Sequence, residues 1–120
     1  MTTERRPKRG EIWLVNFNPT RGDEIQKARP AVVVSSDGLG KLRLRVVVPF
    51  TSSQRGNPDG NAWMVPVKAS PYNHLNGDTT ADALQLRSVS TERFLQFIGP
   101  LEADLLAEVV AAAAIVLEFQ

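Results

Sequence analysis

The chain has 120 residues, 42% hydrophobic and 22% charged. That is the composition of one globular domain, long enough to bury a core and too apolar to stay unfolded. It has no cysteine, which excludes disulfide frameworks, thiolate nucleophiles and cysteine-built zinc sites and suits a cytoplasmic protein. Its net charge of +1 does not by itself mark a partner.

Residues 1–8 read as a flexible N-terminal segment and 9–120 as a single domain without internal repeats. Residues 10–17 alternate. Ile12, Leu14 and Asn16 point to one side, and Trp13, Val15 and Phe17 to the other, which predicts a strand with partners on both faces. Trp13, at its centre, reads as core. Residues 18–23 are dense in turn formers and predict a loop. Pro30 opens a second strand, where its missing N–H does least harm, and the strand runs to Ser35. Residues 37–40 form a turn. A third strand covers 42–50, its apolar residues alternating with Arg43 and Arg45.

Residues 51–61 are rich in Ser, Gly, Asn and Pro and predict a polar loop. A fourth strand is expected at 62–67, an irregular stretch at 70–78 and a fifth strand at 79–89. After Gly99-Pro100 the period changes. Leu101, Leu105, Val109, Ala112 and Val116 recur at helical spacing, with Glu102 and Asp104 in the first turn, where the helix dipole favours negative charge. The plan is a small antiparallel β-barrel of about five to six strands with a C-terminal α-helix. The helix's paired apolar residues Leu105, Leu106, Val109 and Val110 suit packing on the barrel, with width left for a dimer contact.

The charged, polar N-terminus does not read as a secretory signal. The longest apolar stretch, 109–117, falls short of the roughly 20 residues a bilayer requires. Arg5, Arg6, Lys8 and Arg9 crowd the N-terminus, and Arg21, Lys27, Arg29, Lys41, Arg43, Arg45 and Arg55 follow. This distribution fits a solvated surface with a loose tail before it fits a basic face on the first half.

The chemistry is bounded first by exclusion. His74 is the single histidine, so a two-histidine ribonuclease mechanism is impossible, and its polar surroundings read as surface. Gly56 and Gly60 precede a strand rather than a helix, so no nucleotide-binding phosphate loop is present. No acidic cluster has metal-ligand spacing, and no G-x-S-x-G nucleophile elbow occurs.

Two loops remain. One ends at Arg29-Pro30 and the other begins at Thr51-Ser52-Ser53-Gln54-Arg55. Hairpin geometry sets the start of strand two beside the end of strand three, so Arg29 and Thr51 are expected at one barrel end. A guanidinium offers planar, bidentate donors to phosphate, and a threonine hydroxyl adds one more. Together they would stabilise charge developing on a phosphodiester. Glu24 is the candidate base for an attacking hydroxyl. The plain alternative is a surface ion pair at Arg29 and a turn cap at Thr51. Trp63, after the polar loop, suits core packing or a protein-partner contact ahead of base stacking.

The segment Gly10-Glu11-Ile12-Trp13-Leu14-Val15-Asn16-Phe17-Asn18-Pro19-Thr20-Arg21-Gly22-Asp23-Glu24, followed by Arg29-Pro30-Ala31-Val32-Val33-Val34-Ser35, resembles the MazF/PemK toxin family. Val48-Pro49-Phe50-Thr51-Ser52-Ser53-Gln54 and Gln85-Leu86-Arg87-Ser88-Val89 resemble that family's third-strand exit and late strand. The likeness spans about residues 9–118. It implies an SH3-like antiparallel β-barrel of the MazF/CcdB type that forms a homodimer. It also implies a sequence-specific endoribonuclease, independent of metals and cofactors, that cuts single-stranded mRNA. The RNA 2′-hydroxyl attacks the adjacent phosphorus, leaving cyclic phosphate and 5′-hydroxyl ends, and a cognate antitoxin blocks the groove.

On this likeness Arg29, Thr51 and Glu24 are the catalytic residues. Arg21, Lys27, Ser52, Ser53, Gln54, Arg55, Gln85 and Arg87 contact RNA, with Gln85 and Arg87 equally suited to a solvent-facing strand. One departure stands out: members often carry Asp before the late-strand glutamine, and this chain has Leu84. Two rival readings share the fold: a CcdB-like gyrase poison that cleaves nothing, and an SH3-like RNA- or protein-binding module.

Overall fold

The computed structural model describes residues 5–52 and 60–119. Seven strands and one helix follow in chain order: β1 (Glu11–Asn16), β2 (Ala28–Val33), β3 (Leu44–Ser52), β4 (Met64–Val67), β5 (Thr79–Asp82), β6 (Arg87–Ser90), β7 (Phe94–Pro100) and α1 (Ala103–Val116). All strand pairs are antiparallel. The main path runs β4-β5-β3-β2-β1-β7, with β6 paired to β3. β4 and β7 end this path and do not pair with each other, so the sheet curls like a barrel without closing.

The long third strand organises the fold. One edge of β3 pairs with β2, and the other pairs first with β6 through Leu44–Val47 and then with β5 through Phe50–Ser52. The predicted alternation in β1 divides the core between the two faces of the sheet. Ile12, Val32, Val48 and Phe50 pack on one face with Val65, Val67 and Ala81, and Leu101, Val109 and Ala112 cover them. Trp13, Val15, Phe17, Ala31, Val33, Val47 and Val89 form the other cluster, where Trp13 meets Phe94 and Phe97 edge to face. Fully burying Val109 contributes about 1.5–3 kcal/mol. Its small neighbours Ala112 and Ala113 are also buried where α1 packs on β4 and the 83–85 turn. Among the described residues no helix is long and apolar enough to cross a membrane.

The structure corrects the expected strand count in two places. The strand expected at 79–89 is interrupted by a 3-10 turn at Ala83–Gln85. Asp82 causes the break, because its carboxylate accepts the Leu84 N–H at 3.1 Å and competes with the ladder. Residues 94–100, not expected as a strand, form β7 along β1. Its alternation is masked because the pairing shifts register twice. Phe94 and Phe97, three apart in sequence, therefore pack into one cluster.

A third correction concerns the basic face. Arg45 is only 5% exposed. Its Nε donates to Pro7 O at 2.9 Å, one terminal nitrogen to Leu42 O (2.7 Å) and Leu44 O (2.8 Å), and the other to Gly40 O (3.4 Å). This arginine is a structural pin, and it holds part of the segment expected to be flexible. Pro7 is buried, and Arg5 pairs with Glu11 at 2.8 Å. Residues 1–4 of that segment lie outside the described residues.

Candidate active site

The β2–β3 ladder runs through Val33–Val47, Val32–Val48 and Ala31–Pro49. Continued in the same register, it sets Arg29 opposite Thr51. Both line one cavity of about 620 Å³, together with Ser52, His74, Asp78 and Gln96. Arg29 is half-buried, and its Nε donates to Gln26 O at 3.2 Å. Among the described residues its two terminal nitrogens meet no acceptor, so the fork of the guanidinium remains available to a ligand. Thr51 is held through its carbonyl, which accepts a hydrogen bond from the Thr79 hydroxyl. The cavity wall thus carries a guanidinium and a threonine, the donor types that an anionic phosphate requires.

The other predicted residues divide. Glu24, Gln85 and Arg87 line a separate depression of about 380 Å³, apart from the Arg29–Thr51 cavity. Glu24 accepts the Arg21 N–H at 2.7 Å and so closes its own turn. Gln85 serves the architecture, since its Oε1 accepts the Ile25 N–H at 3.2 Å and its Nε2 donates to Asp23 O at 3.0 Å. It thereby fixes the 17–27 loop. Arg87 stands over the Phe17 ring at 5.7 Å. Leu84, the departure noted from the resembled family's late strand, is 59% exposed on the rim of this depression. The nearest acid in that stretch is Asp82, whose carboxyl is pushed up by burial against the opposing pull of the Leu84 and Gln85 amides.

Arg21 and Lys27 are exposed, and Lys27 has a positive φ of 67°. Ser53, Gln54 and Arg55 lie outside the described residues. Trp63 is half-buried and packs against the core.

Sequence reasoning set His74 aside as a surface residue. It is exposed, yet it lines the Arg29–Thr51 cavity. Its approach depends on contacts between the 69–78 loop and β7, which no local pattern reveals. A larger cavity of about 790 Å³ is lined by Arg5, Arg6, Lys41, Arg43 and Arg45 together with Glu92, Trp13 and Phe94. Among the described residues no group of three or more His, Asp or Glu side chains is placed to hold a metal ion.

This architecture is shared with known proteins. PemK-like, MazF-like toxins of type II toxin-antitoxin systems match residues 8–117 as a family. The chain belongs to that family. It is similar to Endoribonuclease MazF9 of Mycobacterium tuberculosis (strain ATCC 25618 / H37Rv), with 38% identity over 110 residues, covering 84% of this chain and 87% of the relative. The crystal structure of MazF from Deinococcus radiodurans superimposes with a TM-score of 0.78 at 28% identity, covering 96% of this chain and 99% of that one. A MazE-MazF crystal structure from the same organism gives a TM-score of 0.71 at 26% identity, covering 98% and 100%.

Proposed function

We propose that this chain is the toxin of a type II toxin–antitoxin pair, and that it cleaves single-stranded mRNA at a defined sequence. The observation that carries this reading is the juxtaposition of Arg29 and Thr51 in one cavity, with the guanidinium fork meeting no acceptor among the described residues. Family membership and the endoribonuclease relatives support it.

In this mechanism the scissile phosphate sits against Arg29 and Thr51. The RNA's 2′-hydroxyl attacks the adjacent phosphorus. Negative charge grows on the non-bridging oxygens, and two parallel N–H donors with a hydroxyl stabilise it more in the transition state than in the ground state. The products are a 2′,3′-cyclic phosphate and a 5′-hydroxyl. Because the nucleophile belongs to the substrate, no metal-activated water is needed. Glu24 takes the 2′-hydroxyl proton. Its carboxylate lines the neighbouring depression and accepts the Arg21 N–H, so this role requires an RNA strand that crosses both depressions. Ser52, Ser53, Gln54, Arg55, Arg21, Lys27, Gln85 and Arg87 contact the flanking nucleotides. The working form is a cytoplasmic homodimer, and the cognate antitoxin silences it by covering the groove.

The test is to incubate the protein, freed of antitoxin, with a long single-stranded RNA in EDTA and to map the cuts and their ends. Discrete cuts leaving 5′-hydroxyls are expected. An intact RNA would contradict the reading and favour a non-cleaving gyrase poison on the same fold.

A further inference from the structure

His74 is the one imidazole in the chain, and the mechanism above does not use it. It lines the Arg29–Thr51 cavity, and the fold builds a firm support for it there. The preceding Asn73 is completely buried. Its Oδ1 accepts the Ser70 and Leu75 N–H groups, both at 3.0 Å, and its Nδ2 donates to Lys68 O (2.9 Å) and Glu102 Oε1 (3.1 Å). The His74 N–H itself donates to Ser70 O at 3.1 Å.

The loop presses on β7 so closely that a Cβ at Gly99 would lie 2.4 Å from Asn73 O and 3.1 Å from the imidazole Cδ2. Glycine at 99 is therefore what lets the loop and its ring approach the cavity. His74 has a positive φ of 61°, a conformation that glycine adopts without steric cost and other residues do not. A large polar ring thus stands at a position where glycine is the easy choice.

We infer that His74 is the general acid of the cleavage reaction, a role that rests on the ribonuclease reading above. As the 2′-oxygen bonds to phosphorus and gives its proton to Glu24, the bond from phosphorus to the 5′-oxygen breaks. The protonated imidazole delivers its proton to that departing oxygen, so the product leaves as an alcohol. Neutral His74 and protonated Glu24 then re-equilibrate with water. The charged groups sharing the cavity are Arg29 from β2 and Asp78 from the same loop. β1, β3 and β7 face it with Leu14, Phe50, Thr51, Ser52, Gln96, Phe97 and Ile98, none of them charged. Imidazole is the side chain whose ordinary titration falls between about pH 5 and 8.

The experiment measures single-turnover cleavage of a short RNA carrying the mapped cut site, in EDTA, from about pH 5 to pH 9. It compares wild type, His74→Gly, His74→Gln and Arg29→Ala. Glycine suits the positive φ, so His74→Gly keeps the loop. Wild-type rates should fall on the alkaline side, where a general acid loses its proton. Both His74 variants should be about 100-fold slower or worse at neutral pH and lack that limb. Free imidazole should speed His74→Gly and not Arg29→Ala. An RNA with sulfur as the bridging 5′ atom has a leaving group that needs no proton, so it should return His74→Gly to near wild-type rate.

An unchanged rate and pH profile in His74→Gly, with Arg29→Ala inactive, would overturn this inference alone. A slow His74→Gly that neither imidazole nor the sulfur substrate restores would also overturn it, leaving only a structural role. Wild type that does not cut RNA, or Arg29→Ala that cuts normally, would remove the ribonuclease reading and this inference with it.

Discussion

Arg29 and Arg45 are the same residue type on neighbouring strands of one sheet, and they have opposite uses. Arg45 is buried, and four backbone carbonyls surround its guanidinium. Arg29 stands at a cavity wall, where its guanidinium makes one hydrogen bond among the described residues, from Nε to Gln26 O. The difference follows from where each strand position emerges. Arg45 lies where the 40–44 turn and the N-terminal segment curl over β3 and present unpaired carbonyls that a buried chain must satisfy. Arg29 lies where the β2–β3 ladder has ended and a groove begins. A guanidinium with every donor engaged holds a fold together, and one with a free fork can take a phosphate.

Three substitutions sharpen this contrast. Arg45→Ala should have the largest effect on stability, a loss of about 2–4 kcal/mol in urea unfolding, because it strips partners from several enclosed carbonyls. Cleavage per folded molecule should stay within a few-fold of wild type. A stable Arg45→Ala protein with lost cleavage would reverse the assignment of the two arginines.

Glu102 comes next. Partial burial opposes ionisation of its carboxyl, but hydrogen bonds from Ser70, its own backbone and Asn73 prevail and hold it below the ordinary carboxylate range. A group held down in this way stabilises the fold at pH above that range, and the contribution disappears as pH falls through its folded value. Glu102→Ala should cost about 1–2 kcal/mol near neutrality. The cost should shrink on acidification, which hydrogen exchange in the 69–78 loop can follow. A cost independent of pH would show that the carboxylate's charge does not matter.

Gln85→Ala should have the smallest effect. Losing both loop contacts removes about 1 kcal/mol of local order and weakens RNA affinity about fivefold, with little change in the unfolding midpoint. An unchanged affinity would mean that the 17–27 loop needs no tether.

Much of this could be read from the residues. The alternation in 10–17 assigned Ile12 and Trp13 to opposite faces, and the hairpin logic brought Arg29 to Thr51. What escaped depended on contacts distant in sequence. β7 was hidden by register shifts that reset its alternation, and the break at Ala83–Gln85 by an Asp82 side chain that outcompetes the ladder. Arg45 looked like one more cation on a basic strand because the carbonyls that enclose it come from residues 7 and 40–44. His74 escaped for the same reason. Its place in the cavity rests on Asn73, Glu102 and Gly99, which meet only in the folded chain.

The most direct test of the central claim is Arg29→Ala measured in two assays at once, RNA cleavage in EDTA and urea unfolding. Cleavage should fall about 100-fold or more while stability stays within about 0.5 kcal/mol of wild type. Undiminished cleavage by a folded Arg29→Ala protein would contradict the account, because the free guanidinium fork would then have no part in the reaction.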